Sequence, residues 1–264
     1  MFSPHTLFFI LSGVLGALIG SFLNVCIWRL PREESIVRPR SQCPHCLHRL
    51  AWWENIPLLS FLFLRGRCRG CRKPISWQYP LVEALTAGFS WLTWWHTQDP
   101  LLYAVYFLLF IAPLIVLSFI DLKCYLLPDV ITLPGIVAGL AVHTFFGPSI
   151  DWKTNFFQGL LGAAVGGGIL FLLAVDYEKI KKQEGLGGGD IKLIAMLGAF
   201  FGWQAVLLIL FASSLVGLVV GIAGLLFFKR SLQSAIPYGP FLSLAGILYF
   251  FWGKDFLNWY LGLF

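Results

Sequence analysis

Two carboxylates and four thiols stand out in this chain as groups whose type and spacing could do chemistry. Asp190 closes the run Gly185-Leu186-Gly187-Gly188-Gly189, and Ile191-Lys192 opens an apolar stretch after it. Asp121 ends another apolar stretch, within Phe119-Ile120-Asp121-Leu122-Lys123. An ionisable side chain at the edge of an apolar run costs free energy and marks a functional site. Glycine, without Cβ, lets a second backbone come close. Two carboxylates from separate helices, brought to one depth, can share a proton and activate water.

The thiols form two C-x-x-C pairs, Cys43-Pro44-His45-Cys46 and Cys68-Arg69-Gly70-Cys71, with 21 residues between them. That pattern reads as a tetrahedral four-cysteine zinc site, one residue beyond the usual spacer. Neighbouring arginines favour the thiolates the metal needs. Two disulfides are the competing reading, and a reducing cytosol disfavours them. His45 and His48 are bystanders, because four thiolates complete the site. A small polar segment held by metal is a structural device, so the zinc is expected to be structural. Cys26 and Cys124 are expected to be small buried apolar residues.

The elements that must position these groups are membrane helices. The 264 residues are 58% hydrophobic and 12% charged, with mean hydropathy +0.78. Soluble domains carry roughly 25% charged residues, and the apolar runs here approach the ~20 residues needed to cross a bilayer. The expected fold is an all-α polytopic membrane protein of about eight transmembrane helices, with a zinc-stabilised cytoplasmic loop after helix 1. The expected organisation is transmembrane helix 1 over 1–27, a zinc-binding loop domain over 28–79, and a seven-helix membrane domain over 80–264 that carries the aspartates.

Charge sets the orientation. Ten of the 19 Lys and Arg lie between Arg29 and Lys73, against Glu33, Glu34 and Glu54. Nucleic acid is one partner for such a block, but the positive-inside rule and anionic lipid explain it more simply beside a membrane helix. The first apolar run, 7–27, has its positive charge behind it, unlike a cleavable signal peptide. It is expected to remain, with the N-terminus outside and the loop in the cytosol. Further helices are expected near 80–96, 101–120, 129–146, 156–175, 190–202, 205–228 and 240–252. Lys179, Lys181 and Lys182, and then Lys229 and Arg230, fall on the inner side. The helix from Asp190 is short, broken by Gly202-Trp203. Gly13, Gly16 and Gly20, and then Gly159, Gly162, Gly166, Gly167 and Gly168, mark close-packing helices. No clear internal repeat is visible.

This topology puts Asp121 and Asp190 at the cytosolic boundary. Asp190 has a plain alternative as an N-cap. Asp121 sits at a helix C-terminus, where the macrodipole disfavours an anion by roughly 0.3–1 kcal/mol, so a structural role is harder to assign. The dipoles suggest that Asp190 is the base and Asp121 holds the proton. Asp129 reads as an N-cap, Asn24 as a helix–helix hydrogen bond, and Asp151, Asp176 and Asp255 as solvated charges. Glu83 pairs with an arginine of the basic loop or belongs to a second site.

With these residues in hand, the sequence resembles the type IV prepilin peptidases, bifunctional leader peptidase and N-methyltransferase enzymes of bacterial inner membranes. Gly20-Ser21-Phe22-Leu23-Asn24-Val25 with Arg29-Leu30-Pro31 is similar to the family's N-terminal signature. The C-x-x-C pairs, then Ile75-Ser76, Tyr79-Pro80 and Glu83, resemble its cytoplasmic zinc loop. Asp121 with Leu127-Pro128-Asp129 resembles its first aspartate motif. Gly187-Gly188-Gly189-Asp190, with Lys192, fits the G-x-G-D motif. Pro237-Tyr238-Gly239-Pro240 resembles its late motif.

The resemblance implies an aspartic endopeptidase with Asp121 and Asp190 catalytic and Gly187, Gly189 and Lys192 supporting them. It implies cleavage of a basic leader from type IV prepilins or type II secretion pseudopilins at the cytosolic face. It implies also methylation of the new N-terminal amine by S-adenosylmethionine. Composition offers no support for the methylation, since no G-x-G-x-x-G follows a strand; Glu83 is a weak candidate for that second site. Glu33, Glu34, Glu54 or Glu184 are expected to receive the basic leader. Two other classes compete: a proton- or ion-coupled transporter using the two aspartates, and a scaffold whose zinc loop docks a partner.

Overall fold

The computed structural model describes residues 4–182, 187–228 and 236–262. Glu184, Gly185, Leu186, Lys229 and Arg230 lie outside the described residues. The described chain is helical, and its only strand-like pairings are two isolated bridges, Gln42–Arg49 and Arg67–Pro74. It divides into two compact units, Met1–Val116 and Leu117–Phe264.

Five described helices are long and apolar enough to cross a bilayer: Thr6–Arg32, Pro100–Cys124, Asp129–Phe146, Trp152–Lys181 and Trp203–Phe227. Against the eight expected from the sequence, three segments fall outside that set. The chain is thus a multi-pass, all-helical membrane protein.

In the first unit, α1 (Pro4–Arg29) packs on α3 (Gln78–Thr97), with the short α2 (Leu59–Phe63) in the loop between. The glycines of α1 allow this contact. A Cβ on Gly16 would lie 2.5 Å from Ser90, and one on Gly20 would lie 2.8 Å from the Glu83 Cα. Asn24 spans the pair as expected, donating to the carbonyls of Gly20 and Tyr79 at 3.3 and 3.1 Å. α4 (Pro100–Tyr106) then runs through a π turn at Phe107–Ile111 into α5 (Ala112–Cys124). The Asp99 side chain caps α4, accepting from the Leu102 N–H.

The second unit is built around one helix. α6 (Asp129–Phe146), α7 (Trp152–Lys181), α9 (Trp203–Phe228) and α10 (Gly239–Leu248) all pack on α8 (Gly188–Phe201). A π turn at Tyr249–Gly253 leads from α10 to α11 (Lys254–Leu261). α8 has 14 residues, about 21 Å at ~1.5 Å rise, too short to span ~30 Å. A helix apolar all round is a core helix, and Leu193, Ile194, Met196, Leu197 and Ala199 are fully buried. Its neighbours approach through glycine. A Cβ on Gly162 would collide with the Gly198 carbonyl, one on Gly135 would lie 2.5 Å from Met196, and one on Gly139 would lie 2.7 Å from Phe200. Gly168, by contrast, meets nothing within 4 Å. The break falls at Gly202, whose φ of +83° is left-handed. The buried His143 Nδ1–H donates to the Phe200 carbonyl at 2.9 Å, closing an orphan acceptor of the last turn of α8. Nothing in the sequence reading pointed to His143.

Several boundaries differ from the sequence expectation. α5 continues to Cys124, so Asp121 lies inside its last turn. α8 begins at Gly188 with Gly187 as N-cap, so Asp190 is its third residue and not a cap. Pro128, not Asp129, is the N-cap of α6. Asp151 is more than a solvated charge: it caps α7, accepting from Lys153 and Thr154. Cys26 is buried as expected, but Cys124 is exposed, because the last turn of α5 turns that position outward.

Candidate active site and metal centre

The dyad residues both belong to the second unit. Asp121 is only 5% exposed, below the fully buried Leu117 and Ile120 of the same helix face. Its Oδ2 accepts the Gly239 N–H at 2.9 Å. Gly239 opens α10, where the first N–H groups of a helix have no partner of their own. A Cβ there would lie 2.8 Å from the Asp121 Oδ2, so a larger residue would have to displace that carboxylate. In the sequence Gly239 is visible only as part of Pro237-Tyr238-Gly239-Pro240, with nothing to place it beside Asp121. The one signal was a glycine N–H at the start of an apolar helix.

Asp190 is half-buried at the third position of α8. Its carboxyl reaches back to the Gly187 N–H and interacts electrostatically with Asp121. Its Oδ1 is buried with no hydrogen-bond partner among the described residues. Leu127 lies beside both parts of the site. A Cβ on Gly189 would lie 2.7 Å from Leu127 Cβ, and one on Gly239 would lie 3.1 Å from Leu127 Cδ2. Gly187 is exposed, sets the helix start and presents its N–H to Asp190. Lys192 donates to both oxygens of Asp129, at 2.6 and 2.8 Å. Asp129 thus serves as an ion-pair partner, and the pair ties α8 to α6 two residues past Asp190. On the next element, the Tyr238 hydroxyl meets those of Ser213 at 2.7 Å and Ser214 at 3.3 Å.

This arrangement sets two electrostatically interacting carboxyl groups on separate helices, each facing a backbone N–H. That is the equipment of general acid–base chemistry on water.

The thiol cluster belongs to the first unit. The sulfurs of Cys43, Cys46, Cys68 and Cys71 all lie within 4.8 Å of one another. Cys43–Cys71 and Cys46–Cys68 are each 3.9 Å apart. A tetrahedral zinc with Zn–S of about 2.3 Å requires sulfurs about 3.8 Å apart, so the cluster fits that ion. None of the four is in a disulfide.

The cluster is made of two copies of one turn. The Cys43 N–H donates to the His48 carbonyl and the Leu47 N–H to the Cys43 carbonyl. Cys68 with Lys73, and Arg72 with Cys68, repeat the pattern. Leu47 and Arg72 share φ of 56° and 57°. This local repeat escaped the sequence reading because only the cysteines are common to both copies.

Burial acts to raise the Cys43 thiol, but N–H groups of His45 and Cys46 outweigh it and bring it from 9.0 to about 7. A backbone N–H from His48 acts to lower the Cys46 thiol, but burial and the other three thiols push it up to about 11. Four crowded thiols cannot all ionise alone, and a cation is what allows it.

His48 and His45 stay outside the cluster. His48 instead meets Glu54 at 3.2 Å. Glu54 also accepts the Ala51 N–H at 2.7 Å and is 5% exposed, so it is not placed to receive a basic leader. Glu33 and Glu34 are exposed. Glu83 is 7% exposed, accepts the Leu58 N–H at 2.8 Å and is bonded to Ser21. No arginine pairs with it among the described residues.

Five apolar helices define a polytopic membrane protein, with Asp121 and Asp190 set near each other in its second unit. The profile described as Bacterial Peptidase A24 N-terminal domain matches residues 14–97, and the Type IV leader peptidase family matches residues 108–222. A protein of Aeromonas hydrophila named prepilin leader peptidase/N-methyltransferase is 40% identical over 97% of this chain and 94% of its own length. A Pseudomonas putida protein of the same name is 38% identical over 94% and 92%. One from Myxococcus xanthus is 47% identical over 83% of this chain and 64% of its own. The chain belongs to the type IV leader peptidase family. No solved structure matches it.

Proposed function

We propose that this chain is a membrane aspartyl peptidase. It cuts the leader from type IV prepilins or type II secretion pseudopilins at the cytoplasmic face of the bacterial inner membrane, and it N-methylates the new terminus. The observation that carries this reading is the Asp121–Asp190 pair: two interacting carboxyls on separate helices, one taking the Gly239 N–H and one with an orphan buried oxygen. The names of the relatives supply the substrate class and the second activity.

In the proposed topology the N-terminus is periplasmic and the zinc loop cytoplasmic, with about eight crossings. The domains are 1–27, 28–79 and 80–264. Zinc on Cys43, Cys46, Cys68 and Cys71 holds the two turns of the loop together.

The hydrogen bonds favour a division of labour opposite to the one the dipoles suggest. Each carboxyl takes a backbone N–H, Gly239 at Asp121 and Gly187 at Asp190; Asp121 has no unpartnered buried oxygen among the described residues, so it is the better-solvated anion and the base. The unpartnered Oδ1 of Asp190 is the oxygen that carries the proton. Asp121 takes a proton from water as the water oxygen attacks the scissile carbonyl carbon. Asp190 gives its proton to the carbonyl oxygen. The gem-diol intermediate collapses: the C–N bond breaks, the amine leaves with the proton from Asp121, and one diol hydroxyl returns its proton to Asp190 as the C=O re-forms.

S-adenosylmethionine would supply the methyl group for the new amine. Glu83 does not fit as its holder, since the Leu58 N–H and Ser21 already occupy its carboxylate. No residue of the chain is assigned to that step.

The test is cleavage of a prepilin-type substrate by purified wild type, Asp121→Asn and Asp190→Asn, with zinc content and folding verified. Neither variant should cut. Wild-type cutting by either variant would remove that aspartate from the mechanism.

A further inference from the structure

We infer that the face of the zinc loop around Arg65, Arg67 and Trp77 is a docking site for the phosphate headgroups of anionic phospholipid. The inference rests on the membrane placement of the chain and not on the dyad, so the two stand or fall separately.

Level comes first. Asn24 bonded to the Tyr79 carbonyl sets the end of α1 beside the start of α3. Trp28 lies in the last turn of α1, and Trp77 is the residue before α3. Tryptophan collects at the membrane–water boundary, where its ring sits among headgroups. Two tryptophans at adjoining helix ends therefore mark the interface.

The loop carries that boundary outward. The Phe61 and Trp77 rings lie 4.9 Å apart, which brings α2 to the same level. Leu62 is 68% exposed, and Phe63 and Trp77 are each 77% exposed. Among the described residues these large apolar groups stay mostly uncovered, and an apolar patch of this kind marks an interaction site. Beside them is an open cleft of about 360 Å³ lined by Phe61, Leu62, Arg65, Arg67, Ile75 and Trp77. Among the described residues no carboxylate pairs with Arg65 or Arg67.

Charge selects the occupant. Exposed cations beside exposed aromatic and aliphatic groups, continuous with two membrane helices, complement an anionic lipid surface. A prepilin-type leader is basic, and these arginines would repel it. Arg65 and Arg67 take the lipid phosphates, and Leu62, Phe63 and Trp77 rest at the glycerol level. Docked this way, the loop is held against the bilayer.

The test is hydrogen exchange on the zinc-loaded full chain in nanodiscs of phosphatidylcholine alone or with phosphatidylglycerol. Amides of residues 59–67 should exchange about 10- to 30-fold more slowly with phosphatidylglycerol, from two cations near a charged surface. Arg65→Glu with Arg67→Glu should erase that difference while the four cysteines keep their zinc. High salt should erase it in unmutated protein through screening. Equal exchange in both lipids would overturn the proposal. So would protection that appears only when a prepilin-type peptide is added, which would make this face a substrate dock.

Discussion

The zinc loop and the dyad are both crowded ionisable groups, yet they are built in opposite ways. The loop draws its four sulfurs from two copies of one turn, close in sequence and closed by their own backbone hydrogen bonds. The dyad draws two carboxyls from helices far apart in sequence, held together by the packing of α8 and the start of α10. A local site of thiols depends on a metal to stand its own charge. A non-local site of carboxyls depends on the fold, and it keeps one oxygen without a partner. The loop's contacts are thus local, and those of the two aspartates are not.

The largest effect expected from this contrast is on the loop. A structural zinc of this type contributes on the order of 10 kcal/mol. Cys68→Ser, or exhaustive chelation, should empty the site and remove hydrogen-exchange protection across residues 41–74. Dyad cleavage of a short soluble substrate should survive. Loss of both together would erase the distinction between the two regions.

Asp121→Asn or Asp190→Asn should do the reverse. Each should lower kcat by at least about 10³-fold, the scale of general acid–base catalysis, with metal content unchanged. The wild-type rate should be bell-shaped in pH, as expected where one shared proton must be neither lost nor doubled. A rate flat across the acidic and neutral range would remove the shared proton.

Gly198→Ala tests the packing that holds the dyad. Its Cβ would meet the Gly162 backbone, which cannot move aside as a side chain can. The expected cost is about 1–3 kcal/mol from overpacking, read as a fall in Tm together with lower kcat. Gly168→Ala, in open space on α7, the helix that Gly198 packs against, is the control and should change neither.

Acid should separate the regions again. With no metal bound, Cys43 is lowered from 9.0 to about 7. A depressed acid contributes stability above its unfolded value and loses it as pH falls through the folded one. The metal-free loop should therefore weaken as pH drops from 9 through 7, followed by thermal melts. In the zinc-loaded protein, protons compete for the same thiolates, so acid should release the metal.

The smallest effect is expected at Lys192. Its pair with Asp129 is 37% and 56% exposed, and exposed pairs contribute about 0.2–1 kcal/mol. Lys192→Met should leave Tm nearly unchanged. A fall in kcat well beyond that scale would show that the pair positions α8 for the dyad.

Much of this was legible in the chain. Hydropathy placed the helices, and α6 lies within the expected bounds. The glycines of α1, and Gly159, Gly162 and Gly166 of α7, pack as their spacing implied, because a missing Cβ is a local property; Gly168 faces open space. The metal cluster could be read from two C-x-x-C pairs, since a turn of four residues nearly determines where its sulfurs point.

Other features depend on residues that only the fold brings together. Asp190 looked like a cap because a carboxylate near a helix start usually is one. Its backward reach to Gly187 and its orphan oxygen depend on how α8 is enclosed. Asp129 looked like a cap for the same reason, and Lys192, 63 positions away, claims it. Gly239 was a glycine in a motif until α10 aimed its N–H at a residue 118 positions earlier. The sequence by itself determined a membrane protein with a four-thiol loop and two boundary aspartates. Only the tertiary structure decided which backbone N–H stabilises which carboxylate, because that choice is a matter of distances between segments that share no local sequence.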